Sequence, residues 1–120
     1  MKYILLFNES ETDFERRTDA DQSQAYWDAW AVYGKALRES GIAVVGAGLQ
    51  QPQTATTVRV REGKRQVHDG PYAETKELLG GFFIVDVPAL DAALEWAARC
   101  PAAQSSSVEV RPMMPTCENQ

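Results

Sequence analysis

Asp69, Glu74, Lys76 and Glu77 put three carboxylates and one amine into a single short stretch, HDGPYAETKELLGG, at residues 68–81. Such a set does acid–base chemistry when burial or a neighbouring charge moves a pKa toward neutrality. In an extended loop Glu74 and Lys76 point to one side and Glu77 to the other, so Glu74 is the first candidate general base and Lys76 its partner. A solvated charged loop would carry the same residues. His68, the sole histidine, is a further candidate because its ordinary pKa lies close to physiological pH. Adjacent strand residues face opposite ways, so His68 and Asp69 are not expected to touch. Asp69 is expected to brace the Gly70-Pro71 turn through backbone hydrogen bonds.

A second set is cationic. Arg59, Arg61, Glu109 and Arg111 project from the polar faces of alternating strands. They read either as cross-strand ion pairs or as a guanidinium fork that clamps an anionic ligand. Arg59, Arg111, Glu109 and Tyr72 are therefore the candidate ligand contacts. The loop alone would repel an anion, so the site is predicted between it and the strands bearing Arg59 and Arg111. Tyr26, Trp27, Trp30 and Tyr33 read as core and interface packing rather than a ligand cage. No metal site is predicted, since one histidine and two distant cysteines, Cys100 and Cys117, offer no ligand spacing. Gly46-Ala47-Gly48 is followed by no helix, so it is not a dinucleotide loop, and no cofactor is predicted.

These residues need elements to hold them. Residues 2–8 are apolar on both faces, as in a strand covered on both sides. Residues 13–21 read as a polar linker into a helix over about residues 21–40, opened by a loose capping box of Asp21 and Gln24. Gly41 stands at its C-terminal cap. Tyr26, Trp30, Tyr33 and Leu37 form one apolar stripe on that helix. A short strand is expected at residues 42–45 and a hairpin at residues 56–69 turning at Glu62-Gly63-Lys64. A buried strand follows at residues 81–87. The second helix is predicted to begin at Pro88, face the core with Leu90, Leu94, Ala97 and Ala98, and stop at Pro101. The last strand covers residues 107–111. The order β-α-β, hairpin, β-α-β predicts a ferredoxin-like α+β fold: one antiparallel sheet with two helices on one face. The other face is left apolar, which predicts a homodimer.

Length and charge narrow the function. A chain of 120 residues is one domain. The net charge of -5 argues against nucleic-acid binding. No apolar run approaches the roughly 20 residues of a membrane helix. The N-terminal apolar run is too short for a signal peptide, so the expected location is cytoplasmic.

The stretch Asp69-Gly70-Pro71-Tyr72-Ala73-Glu74-Thr75-Lys76-Glu77 resembles the signature of the YCII-related proteins. The match is to the subgroup named for its Asp-Gly-Pro-Phe (DGPF) motif, with Tyr72 where that subgroup has Phe. MKYILLFNE, GAGLQQPQTATTVRVREGK, ALEWAARCP and SVEVRPMM resemble the same subgroup in the same order. The resemblance implies a domain over residues 1–114 with a tail at 115–120, and a dimeric α+β barrel. It also implies one of two roles. Some relatives look like lyases acting on small, often aromatic, molecules; others look like accessory proteins linked to extracytoplasmic-function sigma factors. The family's proposed His–Asp pair draws its histidine from the first helix, and here that helix has none.

Overall fold

A computed structural model describes residues 1–71 and 75–115. The strands are β1 (Lys2–Ser10), β2 (Ala43–Gly48), β3 (Thr56–Arg61), β4 (Lys64–Asp69), β5 (Glu77–Asp86) and β6 (Ser107–Pro112). The helices are α1 (Glu11–Arg16), α2 (Ser23–Ser40), α3 (Leu90–Arg99) and α4 (Pro101–Ser105). The main sheet is antiparallel in the order β2-β5-β1-β6, and β3 and β4 form a separate two-stranded hairpin. This is the expected ferredoxin-like α+β plan.

Parity along β1 builds the core. Tyr3, Leu5, Phe7 and Glu9 are buried, while Ile4, Leu6 and Asn8 lie on the opposite face and stay half-exposed. Register carries this division across the sheet, because directly opposed residues share a face. Leu5 faces Phe83 and Val110, and Tyr3 faces Val85. Against this side pack Tyr33 and Leu37 of α2 and Ala93 and Ala97 of α3. The molecule measures 46 × 44 × 19 Å, which allows one helix layer on one sheet and no third layer.

Several local expectations change. Residues 13–21 are not a plain linker. Ser10 accepts the Asp13 backbone N–H at 3.2 Å, and Asp13 accepts the Ser10 N–H at 3.0 Å, so a complete capping box starts α1. The entry to α2 is likewise not capped by Asp21 and Gln24. The Asp19 carboxylate accepts the Asp21 and Gln22 N–H groups at 3.0 and 3.1 Å. Helix α3 starts at Leu90 rather than Pro88, and it buries Ala93 and Ala97 while Leu90 and Leu94 stay exposed. Tyr33 of α2 donates its hydroxyl to the Trp96 carbonyl of α3 at 2.8 Å, which ties the two helices together. Pro101 ends α3 and opens α4.

The remaining expectations concern turns. Gly41 ends α2 with φ 79°, as its place in the sequence predicts. Glu62 and Gly63 have φ 54° and 75°, the two positive values of a type I′ hairpin turn. Gly70 has φ 101°, which a residue with a Cβ resists.

Candidate functional site: a buried carboxylate beside an aromatic cavity

The apolar stripe of β1 ends on Glu9, which is 2% exposed. A carboxylate on a core face must be paired or hydrogen-bonded, and two side chains meet it. Arg17, in the turn after α1, donates from Nη2 to Glu9 Oε1 at 2.7 Å. Tyr26, in the first turns of α2, donates its hydroxyl to Oε2 at 2.5 Å. Arg17 Nε also donates to the Tyr26 hydroxyl at 3.1 Å, closing a three-membered ring of hydrogen bonds. The remaining guanidinium donors reach the Leu49 and Gly80 carbonyls at 2.5 and 3.2 Å. Phe14 lies 4.8 Å beneath the guanidinium carbon. Buried, mutually satisfied charges of this kind hold one geometry.

The backbone makes room for them. Gly80 is the extra residue where the β1–β5 register shifts, since Phe7 pairs with Gly81 and Asn8 with Leu79. A Cβ on Gly80 would stand 2.2 Å from Glu9 Oε1 and 3.1 Å from Arg17 Nη2. Likewise a Cβ on Gly46 would fall 2.1 Å from the Phe83 ring. The Gly-rich segment after residue 45 is therefore strand, contrary to the sequence expectation, because β2 must pass over an aromatic ring.

A half-open cavity of about 540 Å³ lies between α2 and the β2–β5 edge, within the range of small-molecule sites. Phe7, Tyr26, Trp27, Trp30 and Phe83 supply aromatic surface, and Glu9, Arg17 and Arg38 supply charge. Phe7 packs against Trp30 with ring centres 4.7 Å apart and planes tilted by 43°, and against Phe83 at 5.6 Å and 49°. Trp27 is held by its indole N–H, which donates to the Arg17 carbonyl at 3.0 Å. A broader groove of about 1010 Å³ runs along the other flank of α2 and shares Glu9, Tyr26 and Trp30. Polar residues in its lining include Asp21 in the turn before α2, Asp28 on α2 and Gln104 on α4.

Electrostatics follow from burial and pairing. Burial, then the bond to Glu9, pushes the Tyr26 phenol well above its usual range, so it stays protonated and donating. Burial opposes the charge on Arg17, but the bonds to Glu9 and Tyr26 outweigh it and hold the guanidinium more firmly charged. Burial also opposes ionisation of Asp13. Bonds from Ser106, the Ser10 backbone and the nearby serine hydroxyls overcome this and hold its carboxyl below the usual range. Cys100 is fully buried and its thiol is pushed up to about 12, chiefly by burial, which leaves it without thiolate chemistry at neutral pH.

The residues singled out from the sequence lie elsewhere. His68 and Asp69 are exposed on β4 and pair with Thr57 and Thr56 across the hairpin. Arg59 is half-buried on β3, and Lys76 is exposed ahead of β5. Arg111 and Glu109 sit on the open face of β6, with Arg111 Nε 3.7 Å from Glu109 Oε2. Glu77 begins β5 rather than lying in a loop, and accepts the Ser107 hydroxyl at 2.5 Å. Tyr72 and Glu74 lie outside the described residues. None of the others lines either cavity. The aromatic residues read as packing divide: Tyr33 is core, whereas Tyr26, Trp27 and Trp30 line the cavity. Glu9 and Arg17 escaped notice, although the parity Tyr3-Leu5-Phe7-Glu9 carries the signal of a buried charge. Among the described residues no cluster of His, Cys, Asp or Glu has the geometry of a metal site, and no helix is long and apolar enough to cross a membrane.

The profile of the YCII-related domain matches residues 1–116. An uncharacterized protein of Rhizobium meliloti (strain 1021), R00369, is 35% identical over 115 residues, covering 94% of this chain and 92% of that protein. The solved structure of a 5-chloro-2-hydroxyhydroquinone dehydrochlorinase (TftG) from Burkholderia phenoliruptrix AC1100, in complex with 2,5-dihydroxybenzoquinone, superposes with a TM-score of 0.55. It is 14% identical, with 95% of this chain and 94% of that chain covered, a likeness of fold.

Proposed function

The chain belongs to the YCII-related domain family, and from that premise we propose that it binds a small planar molecule in the cavity between α2 and the β2–β5 edge. The observation that carries this reading is the buried Glu9 carboxylate, held in place by hydrogen bonds from Arg17 and Tyr26, on the wall of a cavity faced with aromatic rings. Rings stack well on such walls, and a carboxylate bonded once at each oxygen retains lone pairs for a ligand hydroxyl or amine. Glu9 is also the group available to take a proton from that ligand, which is the lyase-like version of the same function. The dehydrochlorinase of similar fold was captured with a small dihydroxylated ring, a ligand of the size this cavity admits. A cavity with converging charges favours ligand binding over the accessory role beside a sigma factor, which would suit a solid interior.

The test is calorimetric titration and thermal shift against phenol, hydroquinone, 4-hydroxybenzamide and 2,5-dihydroxybenzoquinone, with cyclohexanol and glycerol as non-planar controls. At 100 times its Kd a ligand stabilises the native state by about 2.7 kcal/mol. Planar hydroxylated rings are expected to bind, and Trp27→Ala, at an exposed position, to weaken them. If no ring binds, or the controls bind equally, the reading fails.

The open sheet face supports a second part of the proposal: two copies pair through it, as in a dimeric α+β barrel. Ile4 and Leu6 of β1, Phe82 and Ile84 of β5 and Val45 of β2 share that face and are left half-covered or exposed by a single chain.

A further inference from the structure

Gly34 stands in the middle of α2, where glycine costs a helix about 1 kcal/mol relative to alanine. It is buried and borders the aromatic cavity. One turn further on, Arg38 folds back across it. A Cβ on Gly34 would lie 3.1 Å from Arg38 Nη1 and 3.8 Å from Cζ, so the missing side chain leaves the bed on which the guanidinium rests. The neighbouring surface pair, Lys35 with Glu39 at 3.9 Å, does not involve Arg38. Among the described residues no side chain forms an ion pair or hydrogen bond with its guanidinium.

Charge gives that arrangement a direction. Within the cavity lining the charge of Glu9 is matched by Arg17 at 2.7 Å, and Arg38 remains as the unmatched charge. The chain carries -5 overall, so this cavity is a local reversal of sign. We propose that Arg38 is the specificity-determining residue of the cavity, an anion clamp that selects planar ligands bearing a carboxylate. This rests on the cavity being the ligand site and names the class it takes: an aromatic acid with its ring on the Phe7–Trp30 wall, a hydroxyl toward Glu9 and its carboxylate on Arg38. A guanidinium fork meets a carboxylate with two parallel N–H donors, a geometry an ammonium does not reproduce.

The experiment titrates 4-hydroxybenzoate and the isosteric 4-hydroxybenzamide into the wild type, Arg38→Gln and Arg38→Lys at low and high salt. Arg38 is exposed at the helix surface, so both variants are expected to fold, and circular dichroism checks this. Wild type is expected to prefer the acid by about tenfold or more, the value of a hydrogen bond to a charged group. Arg38→Gln should weaken the acid far more than the amide and so erase the preference, and Arg38→Lys should restore only part of it. Acid and amide binding equally to wild type would overturn the clamp but leave the cavity reading intact. A preference that survives in Arg38→Gln would do the same. If neither compound binds, nor any other planar ring, both the clamp and the cavity reading fall.

Discussion

Glu9 owes its role to parity, being the fourth member of an alternating core stripe whose first three members are apolar. Replacing it with Gln keeps the shape but leaves the Arg17 guanidinium charged and 10% exposed with no counter-ion. Breaking a buried pair from one side typically costs about 3–5 kcal/mol. Glu9→Gln should therefore lower the denaturation midpoint strongly, and Arg17→Met in the same chain should recover part of the loss. Additive losses in a double-mutant cycle would show that the two residues do not act as a pair. Gly80 tests the same cluster from the backbone side. Gly80→Ala puts a methyl group 2.2 Å from Glu9 Oε1, so a loss of about 1–3 kcal/mol is expected, with weakened ring binding. A variant that melts like wild type would mean the carboxylate can step aside freely.

At the scale of elements, α1 is held by its cap. Asp13 is 2% exposed and binds Ser10, Ser106 and Arg16 at 2.6–3.1 Å. Its folded pKa is depressed below the ordinary 3.8. The stability it contributes is present above that ordinary value and is lost as pH falls below it, through the folded pKa. Urea midpoints measured from pH 5 down to pH 2.5 should fall more steeply for wild type than for Asp13→Asn; parallel curves would exclude this role for Asp13. The hairpin depends on Gly70 in a comparable way. Its N–H donates to the Ala55 carbonyl at 2.7 Å and its carbonyl accepts from Thr57 Oγ1 at 2.8 Å, at φ 101°. Gly70→Val should cost about 1–3 kcal/mol in backbone strain. Glu77→Ala loses one hydrogen bond to Ser107 and should cost about 1 kcal/mol. Thermal melts in which Glu77→Ala is the more damaged variant would refute the strain argument.

At the scale of the whole molecule, two layers leave one sheet face without cover. Leu6 lies at the centre of that face, opposite Phe82. Light scattering is expected to give twice the 13.3 kDa chain mass, and Leu6→Glu to shift the protein toward monomer. A wild type that scatters as a monomer at micromolar concentration would remove the paired-sheet arrangement, and the exposed apolar face would then need another explanation.

The sequence by itself determined what depends on neighbours along the chain. The two apolar faces of β1, the stripe Tyr26-Trp30-Tyr33-Leu37, the special glycines at 41 and 70 and the order of the strands and the two long helices were legible, because period and backbone sterics act over a few residues. The ferredoxin-like order then follows from strand–helix alternation. The candidate site was not legible in that way. Residues 68–81 concentrate charge in sequence, yet the described members of that set divide between the hairpin and the start of β5. Glu9, Arg17, Tyr26 and Arg38 look unrelated along the chain, and only the sheet register and the seat of α2 bring them to one cavity. Pairing across a fold depends on where backbones meet in space, and Gly80 records that meeting as an absent side chain beside a buried carboxylate.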